Sequence, residues 1–253
     1  MAEKKIGEIR KELQQLPEQA LPEFIETYRE DTRSGVVKMV AQAQKRIAAL
    51  EKEKQRMDAM FAFERKYPDC EAICGIDEAG RGPLAGPVVA GAVILPKDCG
   101  LLYINDSKKL SEAKREELFR AIQREAVACS VGVADASVID EINILQATYQ
   151  AMQQAVNSLG VKPDILLNDA VTIPRISIPQ EPIIKGDAKS ASIAAASILA
   201  KVTRDHMMYE YEETYPGYGF GKHKGYGTAE HIAAIQSIGP SPIHRRTFIK
   251  KFV

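Results

Sequence analysis

No apolar run in this chain approaches the ~18 residues that a bilayer-spanning helix needs, so the sequence offers no membrane anchor. The opening Met-Ala-Glu-Lys-Lys leads into polar, helix-forming residues rather than the apolar stretch of a secretion signal, and the expectation is a cytoplasmic protein. An excess of charge of one sign is missing too, since 34 Lys and Arg balance 34 Asp and Glu. Overall field therefore cannot hold a nucleic acid, and any such binding requires a local basic surface. Cysteine is scarce: Cys70, Cys74, Cys99 and Cys129 have neither zinc-knuckle spacing nor the density of a disulfide scaffold. They read as reduced thiols that fill core. The four histidines, His206, His223, His231 and His244, are scattered and none has a partner at metal-ligand spacing. His206 and His231 read as helix-surface or core-edge residues, and a histidine base is not expected. There is no internal repeat and no low-complexity tract.

What is present is enough apolar residue, 45% of 253 positions, for one α/β core and a small extra module. Residues 1–68 are rich in Glu, Lys, Gln and Ala, almost free of glycine, and carry helical periodicity at Ile6, Ile9 and Leu13 and again at Val37, Val40, Ala43, Ile47 and Leu50. They are expected to form a helical extension, broken near the front by Pro17 and Pro22, with Tyr67-Pro68 marking its boundary with a main domain of residues 69–253. The cationic bias of Lys45, Arg46, Lys52, Lys54 and Arg56 fits a solvated helix face, with an accessory surface for phosphates as the alternative.

The stretch Cys74-Gly75-Ile76-Asp77-Glu78-Ala79-Gly80-Arg81-Gly82 organises the rest. A short apolar strand ends in two adjacent acids and a loop with glycine on both sides of an arginine. Because strand side chains alternate between faces, Asp77 and Glu78 are expected to share a centre only if the chain leaves strand geometry around Glu78. Further strands are expected at 86–95, 128–134, 165–167 and 183–184, with helices from a Ser111 cap to about Ala126, from Ser137 to Leu159, and from Ala188 to Ala200 with Asp187 at its N-terminus. Each acid then sits where an apolar element gives way to the next.

Five ordered pieces, Gly75 to Gly82, Asp106-Ser107-Lys108-Lys109-Leu110, Leu167-Asn168-Asp169, Lys185 to Ser190, and His223-Lys224-Gly225-Tyr226-Gly227-Thr228, resemble the signatures of bacterial ribonuclease HII across about residues 72–252. The resemblance implies an α/β ribonuclease H-like fold: a mixed five-stranded sheet, three strands forming an antiparallel meander, flanked by helices. It implies an endonuclease that cuts the RNA strand of RNA–DNA hybrids and the phosphodiester 5′ to single ribonucleotides embedded in duplex DNA, leaving a 5′ phosphate and a 3′ hydroxyl. Its metal ligands and catalytic residues fall on Asp77, Glu78, Asp169 and Asp187, with Asn168 where an apolar residue is more usual.

Four carboxylates without sulfur or imidazole make an all-oxygen site suited to magnesium or manganese. Two such ions about 4 Å apart would activate a water and stabilise the leaving 3′ oxygen. Gly80, Arg81 and Gly82 resemble the family's ribose-sensing loop, Tyr226 resembles its sugar-stacking tyrosine, and Ser107 and Lys108 are expected on phosphate. The tail from Ser241 to Phe248, with Lys250 and Lys251, is expected to supply local positive charge. The partners implied are RNA–DNA hybrid and ribonucleotide-containing duplex DNA, with no membrane and a monomeric state; a sliding-clamp contact on the C-terminal tail is left open. Two other readings compete: a type HIII ribonuclease H, which cuts longer RNA stretches and typically has a β-rich front and no equivalent tyrosine, and a binding scaffold that has lost its carboxylates.

Overall fold

The computed structural model describes residues 4–253, so Met1, Ala2 and Glu3 of the opening lie outside it. The chain divides into two compact units between Asp58 and Ala59. In the first, α1 (Ile6–Gln15), α2 (Leu21–Tyr28) and α3 (Ser34–Met60) gather Ile9, Leu13, Leu21, Phe24, Tyr28, Val36, Met39 and Ala43 into one apolar cluster. Pro22 opens α2 rather than breaking a helix, because the first turn has no use for the missing N–H.

The second unit is built on a sheet of order β3-β2-β1-β4-β5. Strands β1 (Ile73–Ala79), β2 (Val88–Ile94) and β3 (Ala128–Ala134) form an antiparallel meander, and β4 (Ile165–Asp169) and β5 (Gln180–Ile183) join β1 in parallel. The helices of this unit are α4 (Glu112–Glu125), α5 (Ala136–Asn157), α6 (Ala191–Thr214), α7 (Phe220–His223), α8 (Ala229–Ile238) and α9 (Arg246–Ile249). No helix among the described residues is long and apolar enough to cross a membrane.

Strand alternation sorts the two faces. Cys74, Ile76, Ala90 and Ala92 cluster with Ala147, Ala151, Met152 and Ala155 of α5. Gly75 and Gly91 face α6 so closely that a methyl group on Gly75 would lie 2.0 Å from the Ser192 carbonyl carbon, and one on Gly91 2.4 Å from the Ala196 oxygen. Asp77 pairs with Gly91 and so shares the α6 face. Helix α6 thus rests on bare backbone, and its first turns lie over the strand that carries Asp77.

Four expectations are corrected. Strand β1 does not leave regular pairing at Glu78, which opposes Ala90, and yet Asp77 and Glu78 border one cleft at the strand's end; the departure from strand geometry comes at Gly80, with φ of +94°. Helix α5 is not continuous, because Asn143 takes φ of +69° and its Oδ1 accepts from the N–H groups of Leu145 and Gln146, capping a restarted helix. Helix α6 is capped by Ser190, whose Oγ accepts from Ile193 N–H, while Asp187 lies in a separate 3-10 turn, Gly186–Ala188. Strand β5 begins earlier than its apolar end suggests, since an edge strand accommodates polar residues and Pro182.

Candidate active site

A cleft of 320 Å³ opens where β1 ends. Its walls include Asp77, Glu78, Gly80, Arg81, Gly82, Ser107, Lys108 and Tyr226, so three of the five sequence pieces meet at one place. Helix α6 adds Ser197, Lys201 and Arg204, spaced to lie on one helical face.

Asp77 is buried, and its Oδ1 accepts from the Glu78 N–H at 2.7 Å. Burial pushes its carboxyl well above the usual range, and the charges of Glu78 and Asp169 add to the rise against a hydrogen bond from Ser197. Glu78 is raised by burial as well, opposed by Arg81, whose Nη1 lies 3.3 Å from Oε1, and by the charge of Lys108. Asp187 is raised by partial burial and by Asp106 and Asp169, with Lys108 acting in the other direction. Asp169, at the end of β4, accepts from the Gly186 N–H at 2.7 Å, which ties β4 to the turn bearing Asp187. Asp169 therefore acts as a like charge on each of the other three acids. Among the described residues, however, no group of three or more His, Cys, Asp or Glu side chains closes into a set able to hold an ion. By donor chemistry the four fit a hard divalent cation, since every side-chain ligand atom they offer is a carboxylate oxygen.

A hydrogen-bonded frame supports the loops. Ser107 Oγ lies 3.0 Å from Ser197 Oγ, and Arg115 donates to the carbonyls of Ser107 and Leu110 at 3.1 and 2.6 Å. Asp205, buried beside Arg115, pairs with Lys201 at 2.7 Å.

Two buried arginines grip the loop backbones. Arg245 donates to Gly80 O at 2.5 Å, Arg81 O at 2.8 Å and Gly86 O at 3.0 Å. Arg204 donates to Pro87 O, Ala85 O and Lys224 O at 2.9, 3.1 and 3.0 Å. Arg245 was expected among the basic residues that supply local charge near phosphate, yet it is fully buried, and burial with the neighbouring charge of Arg204 lowers it to about 9. A run such as His-Arg-Arg shows which residues are basic, not which side chain turns inward.

Nor are the histidines scattered. His223 stacks on His231 with ring centroids 4.4 Å apart, and His231 Nε2 lies 3.0 Å from His244 Nε2. The Ser241 N–H donates to His244 Nδ1, so His244 in its neutral form donates from Nε2 to His231, and His231 from Nδ1 to the Tyr226 carbonyl at 2.9 Å. Three residues from different elements converge here because α7, α8 and the tail fold around Phe220. His206 does lie at the surface, paired with Glu116.

Comparison with known proteins places the chain in a family. The family model for ribonuclease HII matches residues 74–251, and that for the ribonuclease HII N-terminal domain matches residues 5–68. The chain belongs to the ribonuclease HII family. A relative named ribonuclease HII from Lachnoclostridium phytofermentans is 58% identical over 246 residues, covering 97% of each chain. Among solved structures, ribonuclease H2 from Pyrococcus horikoshii aligns with a TM-score of 0.58 at 29% identity, covering 71% of this chain and 96% of that one. The ribonuclease HII of Archaeoglobus fulgidus, solved in complex with PCNA, aligns at 0.57 and 27% identity over 72% and 94%. The ribonuclease H-like sheet and flanking helices expected from sequence are the fold found, and the family assignment stands with them.

Proposed function

We propose that this ribonuclease HII family member is an endonuclease that cleaves the RNA strand of RNA–DNA hybrids and the phosphodiester 5′ to single ribonucleotides in duplex DNA, leaving 5′ phosphate and 3′ hydroxyl ends. The observation that carries the reading is the shared cleft, in which Asp77 and Glu78 adjoin both the Gly80–Arg81–Gly82 loop and Tyr226. A methyl group on Gly82 would lie 3.8 Å from the Tyr226 ring, so the loop and the aromatic are neighbours suited to opposite sides of one sugar. Gly80, held at φ of +94° with its carbonyl gripped by Arg245, brings loop backbone to where a 2′ hydroxyl can be tested. Tyr226 is 46% exposed, available to stack on the following nucleotide. Arg81 and Lys108 are exposed cations at the same rim and answer the requirement of a neutral protein for a local phosphate-binding surface.

Asp77, Glu78, Asp169 and Asp187 are the residues that would hold magnesium or manganese. Two such ions would supply an activated water and charge stabilisation at the leaving oxygen. Because Asp169 repels each of the other three carboxylates and the four do not close into a ligand set unaided, side-chain adjustment accompanies loading. For a clamp partner of the kind solved with the Archaeoglobus relative, the exposed C-terminal residues after α9 are the candidate segment.

The test is incubation with a DNA duplex containing one ribonucleotide, with and without magnesium or manganese. Metal-dependent cleavage 5′ to that ribonucleotide is expected. Cleavage confined to longer RNA runs would transfer the chain to type HIII behaviour, and binding without cleavage would make it a scaffold.

A further inference from the structure

Glu64 lies in a 3-10 turn, Glu64–Lys66, ahead of β1. It is nevertheless 9% exposed. Its Oε1 accepts from Ser190 Oγ at 2.6 Å and from the Ser192 N–H at 2.9 Å, while its Oε2 is buried with no partner. A buried carboxylate oxygen without a partner is unfavourable, so the placement needs a return elsewhere. Part of the return is electrostatic, because two bonds and a negative charge are delivered to the first turn of the 24-residue α6.

The position of that turn matters more than its stability. The Ser192 backbone sits against bare Gly75, two residues before Asp77, so α6 cannot shift without moving against β1. On the other side, the Ser190 N–H donates to Gly186 O at 2.8 Å, closing the turn that carries Asp187, and the Gly186 N–H donates to Asp169 Oδ1 at 2.7 Å. A continuous chain of contacts thus runs from Glu64 through Ser190 and Gly186 to Asp169, with Asp187 inside it. Glu64 is itself held, since Phe63 and Tyr67 pack on Ile73, Ile165, Leu167, Ile183 and Ile193, and Tyr67 donates to Glu181 at 2.6 Å.

We propose that Glu64 is a positioning residue that sets Asp169 and Asp187 for cation binding by fixing the start of α6 from the segment ahead of the sheet. The proposal rests on the assignment of those two acids as ligands.

The test uses the full chain with Glu64→Ala and Glu64→Gln. Three quantities are measured: manganese affinity by calorimetry without substrate, amide exchange at Ser190 and Ser192 in metal-free protein, and kcat and KM on a duplex with one ribonucleotide. Loss of an outer-shell support typically lowers metal affinity or activity about 10–100-fold. Glu64→Ala is therefore expected to weaken manganese binding at least tenfold, to speed exchange at Ser192, and to lower kcat with KM little changed. Glu64→Gln, which keeps the accepting Oε1, is expected to recover most of the affinity. Manganese affinity and kcat equal to wild type in Glu64→Ala, even with a lower melting temperature, would overturn the proposal and leave Glu64 a purely structural cap. If Glu64→Ala does not fold, Ser190→Ala removes the hydroxyl that donates to Glu64 Oε1 and is read by the same criteria. Failure of the wild type to cut the duplex would instead count against the proposed function, and the calorimetric arm would still decide the role of Glu64.

Discussion

Replacing Arg245 with leucine would remove the grip on the Gly80–Arg81–Gly82 loop while leaving every acid in place. The guanidinium makes three hydrogen bonds to carbonyls, those of Gly80, Arg81 and Gly86, at 2.5–3.0 Å, and is fully buried, with the charge of Asp140 acting in its favour. Hydrogen bonds from a charged donor are worth about 1.5–3 kcal/mol each. Against that stands the desolvation of a buried cation, an effective penalty of several kcal/mol, whose presence is seen in the lowering of Arg245 to about 9. The two nearly offset in the sum, but leucine also leaves three carbonyls without their donor, so a net loss of about 2–4 kcal/mol is expected. Arg245→Lys keeps the charge but cannot fork to three acceptors, and about half that loss is expected. Urea unfolding measures the stability change. The functional signature is a fall in kcat/KM on the single-ribonucleotide duplex larger than the fall in bound metal. A leucine variant with unchanged stability and unchanged cleavage would refute the reasoning, because the grip would then be incidental.

Three further outcomes are expected. Asp77→Asn abolishes metal-dependent cleavage, since an amide is a poorer ligand for a hard cation; because burial and like charges already raise the Asp77 carboxyl, the melting temperature in chelator should hold or rise, and a large drop would contradict the repulsion described. Tyr226→Ala, at a residue 46% exposed, should lower kcat/KM on the junction substrate about tenfold with stability nearly unchanged, stacking being worth roughly 1–3 kcal/mol; equal rates would remove Tyr226 from the site. Burial lowers His244 from 6.5 to about 4, with His231 and Arg246 acting in the same direction. Between those values the unfolded chain takes up a proton that the folded one refuses, so stability falls as pH drops from about 6.5 towards 4. His244→Gln should flatten that part of the stability profile, and an unchanged slope would place the titration elsewhere.

Sequence disclosed the elements that follow from periodicity and from glycine or serine punctuation: the meander strands, the Ser111 cap and the small-residue helix that became α6. It disclosed the cleft residues only because five short pieces resembled one family in order; singly, Tyr226 or Lys108 carries no such signal. What it hid depends on side-chain direction. Arg204 and Arg245 look like surface cations until the fold turns them onto backbone carbonyls. His223, His231 and His244 meet through loops whose closure no spacing rule describes. Glu64 is one more acid in a charged segment, and its partners lie 126 and 128 residues away. The kink at Asn143 was unreadable for a related reason, since asparagine tolerates positive φ without demanding it.

The central claim is that Asp77, Glu78, Asp169 and Asp187 are one oxygen site for divalent cations beside the sugar-testing loop. Anomalous diffraction from crystals grown with manganese and a duplex containing one ribonucleotide tests it most directly. Manganese peaks among those four carboxylates, with the ribose between Gly82 and Tyr226, are the predicted result. Ordered manganese elsewhere, with the four carboxylates free of metal, would contradict the account.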